Sequence, residues 1–283
     1  MHVVNSVAEV RKFVGEAGDA RKSIGLVPTM GALHEGHASL IRRAVERCDY
    51  VVLSIYVNPT QFGPNEDLTR YPRSLEADRQ LADRLGVDLL FTPTDREMYG
   101  SQFATYVVPE KLTDVLCGRT RPGHFRGVCT VVAKLFNIIQ PDLAFFGQKD
   151  AQQAVIIQRM IEDLNFPVEM EVLPIVREPD GLALSSRNAY LTPTQRQDAI
   201  CLSRALQAAF ELITRGERSA AAVRQRLAEV IRSAPSAQVD YIEIVDAHTL
   251  AALTGLGGHQ VLIALAVRFG ATRLIDNIVV DIT

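Results

Sequence analysis

A stretch of glycines and histidines near the N-terminus has the residue types that bind phosphate. It reads Pro-Thr-Met-Gly-Ala-Leu-His-Glu-Gly-His over residues 28–37. His34 and His37 are three residues apart, so their rings can point the same way in the first turn of a helix. Neutral imidazoles can donate hydrogen bonds to phosphate oxygens, and the unpaired N–H groups of a helix N-terminus add to such a site. The spacing differs from the i, i+4 pair of zinc metalloproteases, so we predict a phosphate site rather than zinc.

Two later clusters could take part in the same chemistry. Gly147-Gln148-Lys149-Asp150 precedes a helical pattern. Lys149 could reach a phosphate there, while Asp150 could cap the helix or help hold a metal. Residues 184–188, Leu-Ser-Ser-Arg-Asn, combine two hydroxyls with a guanidinium, which suits a triphosphate. Taken alone, each cluster is also typical of a solvated loop, and the histidines of the first stretch could simply cap a helix.

The elements around these clusters alternate between strands and helices. Apolar runs predict strands over 24–28, 50–57, 87–92, 143–146 and 168–172, and helical spacing predicts helices over 37–48, 74–85, 128–139 and 151–164. Ser74 is a possible N-cap. Such alternation predicts a parallel sheet with right-handed crossovers. The first two clusters then lie at the carboxyl ends of strands, where ligands bind.

The pattern changes near residue 177. A helix is predicted from Thr192-Pro193 to about residue 214 and another over 220–231, followed by strands over 239–245, 260–267 and 274–282. We therefore predict an α/β protein with two domains. A Rossmann-like parallel-sheet domain covers residues 1–176, and a smaller α+β domain covers residues 177–283.

Composition narrows the class of protein. Thirty Lys and Arg against 33 Asp and Glu give a formal net charge of -3, which argues against nucleic acid as the main partner. The four cysteines are too few and too scattered for a disulfide scaffold or a zinc ribbon. The charged N-terminus is unlike a signal peptide, and apolar runs such as 262–267 are far shorter than the ~20 residues of a spanning helix. We expect a soluble, cytoplasmic protein without a membrane partner.

Together these stretches resemble the HxGH nucleotidyltransferase superfamily and, more closely, the pantothenate synthetase (pantoate–β-alanine ligase) family. The resemblance covers almost the whole chain. It rests on residues 28–37, on Tyr-Val-Asn-Pro-Thr-Gln-Phe at 56–62, on Arg-Pro-Gly-His-Phe-Arg-Gly at 121–127, and on residues 145–150 and 184–188. One departure is Leu184, where the family often has methionine. This exchange conserves volume and should leave ATP binding intact.

The resemblance implies an AMP-forming acid–amino-acid ligase. Such an enzyme joins (R)-pantoate to β-alanine with ATP and gives pantothenate, AMP and pyrophosphate through a pantoyl-adenylate, in pantothenate and coenzyme A biosynthesis. It also implies Mg²⁺ with ligands left open, and a homodimer. One alternative is an HxGH enzyme that transfers a nucleotide to a phosphate ester and keeps the dinucleotide as product. Another is a nucleic-acid-binding module, which the net charge disfavours.

The resemblance also assigns residues to roles. Catalysis is expected from His34, His37, Lys149 and Arg187. ATP binding is expected from Met30, Gly31, Ala32, Leu33, His34, Glu35, Gly36, His37, Gly147, Gln148, Lys149, Asp150, Val176, Leu184, Ser185, Ser186 and Arg187. Pantoate binding is expected from Asn58, Gln61 and Gln153, and β-alanine binding from Gln61. The segment 63–71 is expected to act as a lid. The basic cluster of Arg119, Arg121, His124 and Arg126 could steer anions, bind phosphate or lie on a solvated surface.

Overall fold

A computed structural model of the chain describes residues 1–64, 66–258 and 260–282. The strands are β1 (His2–Val4), β2 (Ile24–Thr29), β3 (Tyr50–Ile55), β4 (Leu89–Phe91), β5 (Leu143–Gly147), β6 (Glu169–Leu173), β7 (Ala237–Asp246), β8 (Gln260–Phe269) and β9 (Thr272–Asp281). The α-helices are α1 (Val7–Asp19), α2 (Glu35–Arg47), α3 (Leu75–Arg84), α4 (Asp95–Met98), α5 (Leu116–Thr120), α6 (His124–Ile139), α7 (Ala151–Asp163), α8 (Pro193–Asp198), α9 (Cys201–Thr214) and α10 (Ala220–Arg232).

The chain forms two compact units. Unit 1 comprises Met1–Gln148 and Ile156–Pro174, and unit 2 comprises Lys149–Val155 and Ile175–Thr283. The predicted boundary between residues 176 and 177 stays a prediction. Among the residues that the structure describes, no helix combines the length and the apolar character needed to cross a membrane.

Unit 1 is built on a six-stranded sheet with the order β1-β4-β3-β2-β5-β6, in which every neighbouring pair is parallel. Counted from β2, five of the strands follow the order 3-2-1-4-5 of a doubly wound sheet. The order reverses between β2 and β5, so the loops after these two strands diverge at the sheet's carboxyl edge. The predicted Rossmann-like fold is confirmed.

Burial explains why the strands of unit 1 could be recognised. Residues 51–54 of β3 are all at most 1% exposed, as expected for a parallel strand covered on both faces. By contrast, neither β1 nor α1 was predicted from the sequence. Strand β1 has three residues, two of which are exposed, so it has no buried apolar run of the kind that marks β2 and β3. Helix α1 begins at a capping box in which Ser6 and Glu9 bind each other's backbone N–H groups.

Unit 2 contains the antiparallel sheet β7-β8-β9, and its core includes apolar residues of α9, α10 and β8. This agrees with the predicted small α+β domain. The prediction of one continuous helix from Pro193 to about residue 214 is wrong, because α8 ends at Asp198 and α9 begins at Cys201. At this break the backbone N–H groups of Ile200, between the helices, and of Leu202, in the first turn of α9, donate to carbonyls three rather than four residues back. The carboxylate of Asp198 also accepts from the backbone N–H of Ser236, 3.0 Å away.

Candidate active site

The loop after β2 is held in a strained turn by a buried carboxylate. Gly31 and Ala32 have φ angles of 81° and 49° in the left-handed region. Asp78 of α3, 3% exposed, accepts at 2.8 Å from the backbone N–H groups of both Ala32 and Leu33. Ser74 occupies the N-cap position of α3, but its hydroxyl makes no cap bond and donates instead to Asp78 at 3.1 Å. No local pattern points to Asp78, since it lies on another helix.

The two histidines cap α2 and bind each other's backbone. His34 is the N-cap residue, and its Nδ1 accepts from the N–H of Gly36 at 3.1 Å. The Nδ1 of His37 accepts from the N–H of His34 at 3.2 Å, and the ring centroids are 4.1 Å apart. Because each Nδ1 is an acceptor, a neutral ring carries its hydrogen on Nε2. The capping bonds therefore set two Nε2–H donors beside the helix N-terminus, so capping and phosphate binding are compatible.

Asn58 and Gln61 form a buried amide pair after β3. The Nδ2 of Asn58 donates to Oε1 of Gln61 at 3.0 Å and to the carbonyl of Gly127 at 3.1 Å. Its Oδ1 accepts from Thr60 and from the hydroxyl of Tyr99. Asn58 is only 1% exposed, so its amide is committed to protein partners. It fixes which way the Gln61 amide points.

The side-chain nitrogen of Gln61 faces Met30, in the loop after the neighbouring strand β2. Its Nε2 donates to the thioether sulfur of Met30 at 3.1 Å. A thioether is a weak acceptor, so Nε2 can donate to a carboxylate or hydroxyl without giving up a strong bond. The structure thus brings together two of the predicted binding stretches, one at the end of β2 and one at the end of β3.

The basic cluster is divided among separate contacts. Arg121 pairs with Glu66 through two hydrogen bonds of 2.6 and 2.7 Å, and it also contacts His124 at 2.9 Å. Arg126 instead stacks on Tyr106, with its guanidinium carbon 4.5 Å from the ring centroid. The segment 63–71 includes Asn65, which lies outside the described residues, so its predicted lid role stays a prediction.

Unit 2 carries Lys149, Asp150 and Gln153 after β5 and the residues of the 184–188 cluster, whereas Gln148 belongs to unit 1. Lys149 lies in a short 3-10 helix, and its carbonyl accepts from the buried side chain of Asn277 at 3.0 Å. Gln153 lies in the first turn of α7 and is partly exposed. Ser185 is the N-cap of a second 3-10 helix, Ser186–Tyr190, and accepts from the N–H of Arg187 at 3.3 Å.

A hairpin precedes the 184–188 cluster and is anchored by an ion pair that was not predicted from the sequence. Val176 accepts from the N–H of Leu184 at 3.0 Å, which closes the hairpin. Arg177 donates to both oxygens of Asp276, at 2.7 and 2.8 Å, and the side chain of Asp276 is fully buried. Bidentate pairing of this kind fixes geometry as well as charge. Because the partners are 99 residues apart, no local pattern announces them.

The strand order and the parallel pairing define the class of unit 1. It is a doubly wound α/β domain, in which ligands bind outside the carboxyl ends of the strands at the switch point. The family model for pantoate–beta-alanine ligase matches residues 2–279, and the chain belongs to that family.

Individual relatives are similar to this chain over nearly its whole length. The pantothenate synthetase of Moorella thermoacetica is 58% identical over 282 residues, which span 100% of this chain and 99% of that protein. The crystal structure of pantothenate synthetase from Thermus thermophilus has a TM-score of 0.92 at 48% identity, covering 98% of this chain and 99% of that one. The pantoate–beta-alanine ligase of Francisella tularensis, complexed with beta-gamma ATP and beta-alanine, has a TM-score of 0.79 at 33% identity. The match covers 98% of this chain and 97% of that one.

Proposed function

We propose that this chain condenses (R)-pantoate with β-alanine, consuming ATP and releasing pantothenate, AMP and pyrophosphate. The observation that carries the proposal is the family match over residues 2–279. The Francisella tularensis relative, described as a complex with beta-gamma ATP and beta-alanine, supports the choice of ATP and of the second substrate.

The first step that we propose is adenylation. A carboxylate is a poor electrophile, so an oxygen of the pantoate carboxylate attacks the α-phosphorus of ATP. The new P–O bond forms as the bond to the β-phosphate oxygen breaks, and pyrophosphate leaves. Two anions approach each other in this step, so donors aimed at the phosphate oxygens of the transition state lower the barrier.

His34 and His37 suit that task. Each presents an Nε2–H because its Nδ1 accepts a backbone hydrogen bond. The N-terminus of α2 adds a partial positive charge. We assign the Met30–His37 turn to ATP, with His37 acting at the α-phosphate. By resemblance to the family, we also assign Lys149, Ser185, Ser186 and Arg187 to the phosphates and the backbone at Val176 to the adenine.

Mg²⁺ fits the chemistry of ATP rather than a cage of protein ligands. Among the described residues, no group of three or more His, Cys, Asp or Glu could hold a metal ion. Mg²⁺ is commonly held by one or two carboxylates together with substrate phosphates. We propose that Asp150, an exposed carboxylate next to Lys149, is such a ligand. When bound, the ion neutralises phosphate charge.

We assign Gln61 and Gln153 to pantoate. A neutral amide can donate to a carboxylate or a hydroxyl without trapping the product as a fixed ion pair would. For Asn58 we propose a different role from direct binding, since its amide groups already hold Gln61, Gly127, Thr60 and Tyr99. It positions Gln61.

The second step transfers the acyl group. The amine of β-alanine attacks the acyl carbon of the adenylate, a C–N bond forms, the C–O bond to AMP breaks, and the amine gives up a proton. Gln61 is assigned to β-alanine at this stage. By resemblance to the family we also propose a cytoplasmic homodimer.

The test is pyrophosphate release from ATP and pantoate, with and without β-alanine. Adenylation predicts a burst of pyrophosphate without β-alanine and turnover with it. Pantoate labelled with heavy oxygen in its carboxylate should yield labelled AMP and unlabelled pyrophosphate. Release of ADP as the main nucleotide product would refute the adenylate. A dinucleotide product would favour the alternative HxGH activity.

A further inference from the structure

We infer that Arg121 and His124 are positioning residues for Gln61, and that Glu66 holds Arg121 in place. The inference rests on the proposed function only in taking Gln61 as the pantoate ligand. The residues come from three places in the chain: the loop after β3, the segment before α6, and the first turn of α6.

The guanidinium of Arg121 is occupied on several sides. Its Nε and Nη2 donate to Glu66 at 2.6 and 2.7 Å, its Nη1 contacts Nε2 of His124 at 2.9 Å, and its Nη2 also reaches the carbonyl of Gln61 at 3.4 Å. The side chains of Arg121 and Glu66 are only 19% and 24% exposed. The charges cancel within this pair, so the arrangement suits positioning rather than capture of an anion.

The same contacts assign the tautomer of His124. A carbonyl oxygen only accepts, so the Nδ1 of His124, 2.8 Å from the carbonyl of Gln61, must be the donor. Arg121 only donates, so Nε2 of His124 must be the acceptor of its Nη1. The ring is therefore the neutral Nδ1–H form. A second proton on Nε2 would face the guanidinium and break this contact.

The result is a residue fixed at both ends. The backbone carbonyl of Gln61 is bound by His124 and Arg121, while its side-chain oxygen is bound by Asn58. Gln61 is 9% exposed. Its remaining freedom is small, and the donor Nε2 is set in one direction. Loss of the carbonyl anchor should let the amide shift and weaken pantoate use without touching ATP.

The experiment measures steady-state kinetics for pantoate and for ATP with R121A, H124A, H124F and H124N. We expect kcat/KM for pantoate to fall about 10- to 100-fold in R121A, which loses charged hydrogen bonds, and about 2- to 10-fold in H124A and H124F. The KM for ATP should stay within about twofold. H124N should recover part of the loss because its amide nitrogen can occupy the place of Nδ1, whereas H124F keeps the ring shape but has no donor.

R126A is the matched control. It removes a nearby arginine, two residues after His124, that stacks on Tyr106, and it is expected to leave kinetics near those of the parent. E66Q should affect pantoate in the same direction as R121A but less strongly, which keeps the test usable if R121A folds poorly. Equal losses for pantoate and ATP, or H124N no better than H124F, would overturn the inference. If the parent chain made no pantothenate, the proposed function itself would fail, which is a distinct result.

Discussion

Replacing Gly127 with alanine should harm both stability and pantoate use, although alanine is the better helix former. Gly127 lies in the first turns of α6. A Cβ built there would lie 2.4 Å from the carbonyl oxygen of Thr60 and 2.6 Å from the backbone nitrogen of Gln61. Both are backbone atoms, so no side chain can rotate away. The strand-end turn that carries Gln61 would have to move.

Two opposing terms set the size of the effect on stability. Alanine gains about 1 kcal/mol over glycine in a helix interior. Overpacking costs about 1–3 kcal/mol. We therefore expect the free energy of unfolding to fall by up to about 2 kcal/mol. Because real Cβ atoms stay at least 3.0 Å from such neighbours, the 2.4 Å contact with the carbonyl oxygen of Thr60 must lengthen by roughly 0.6 Å or more, which shifts the turn that carries Gln61. A displacement of ~1 Å can cost about 100-fold in rate, so kcat/KM for pantoate should fall roughly 10- to 100-fold.

Urea unfolding and steady-state kinetics for pantoate and ATP would measure both effects. The matched control is Gly15→Ala in α1, where an added Cβ meets nothing within 4 Å. It should raise the free energy of unfolding by about 0.5–1 kcal/mol and leave kinetics unchanged. If Gly127→Ala behaved like Gly15→Ala, the close approach of α6 would not be what places Gln61.

Three further predictions concern the phosphate turn and the loop ion pair. His37→Ala and Lys149→Ala should each slow pyrophosphate release in the absence of β-alanine about 100- to 1,000-fold, because each removes a donor to the transition state. Asp78→Asn replaces one acceptor oxygen by a donor. It should lower the free energy of unfolding by about 1–3 kcal/mol, measured in urea, and also slow adenylate formation. Burial raises the pKa of Glu66, but the hydrogen bonds and charge of Arg121 outweigh it, so its pKa lies below the usual value. The stability that this pair adds is thus present above the unfolded pKa of ~4.3 and is lost as pH falls through the lower folded pKa. In urea unfolding, the difference in free energy of unfolding between the parent and Glu66→Gln should therefore shrink as the pH is lowered over that range.

Each of these has a clear contrary result. Rates within a few-fold of the parent would remove His37 or Lys149 from its assigned role. An Asp78→Asn protein as stable and as fast as the parent would show that the turn does not depend on the carboxylate. A stability difference for Glu66→Gln that grew on acidification would contradict the sign derived from its lowered pKa.

The histidines show where local and functional explanations coincide. From the sequence, capping and phosphate binding are alternatives for His34 and His37. In the structure both rings accept capping bonds through Nδ1, and this leaves the Nε2 side as the donor. The cap thus sets the tautomer that phosphate binding needs.

Much of the secondary structure of unit 1 could be predicted from patterns local in the sequence. Continuous apolar runs predicted its buried strands β2, β3 and β5, and their alternation with helices predicted a parallel sheet, which is observed. The same alternation predicted that the residues after β2 and β5 lie at the carboxyl ends of strands. These features follow from the sequence because hydrophobic period and chain connectivity are properties of neighbouring residues.

The tertiary structure alone decided what holds the candidate site residues in position. Asp78 accepts a hydrogen bond from the turn at Ala32, 46 residues earlier in the sequence. Arg121 donates to the carbonyl of Gln61, 60 residues earlier, and Arg177 donates to Asp276, 99 residues later. Each contact is a hydrogen bond between groups brought together by packing. A charged or amide side chain has the same local appearance in the sequence whether it is solvated or buried against a distant backbone. Only the folded chain shows which of the two it is.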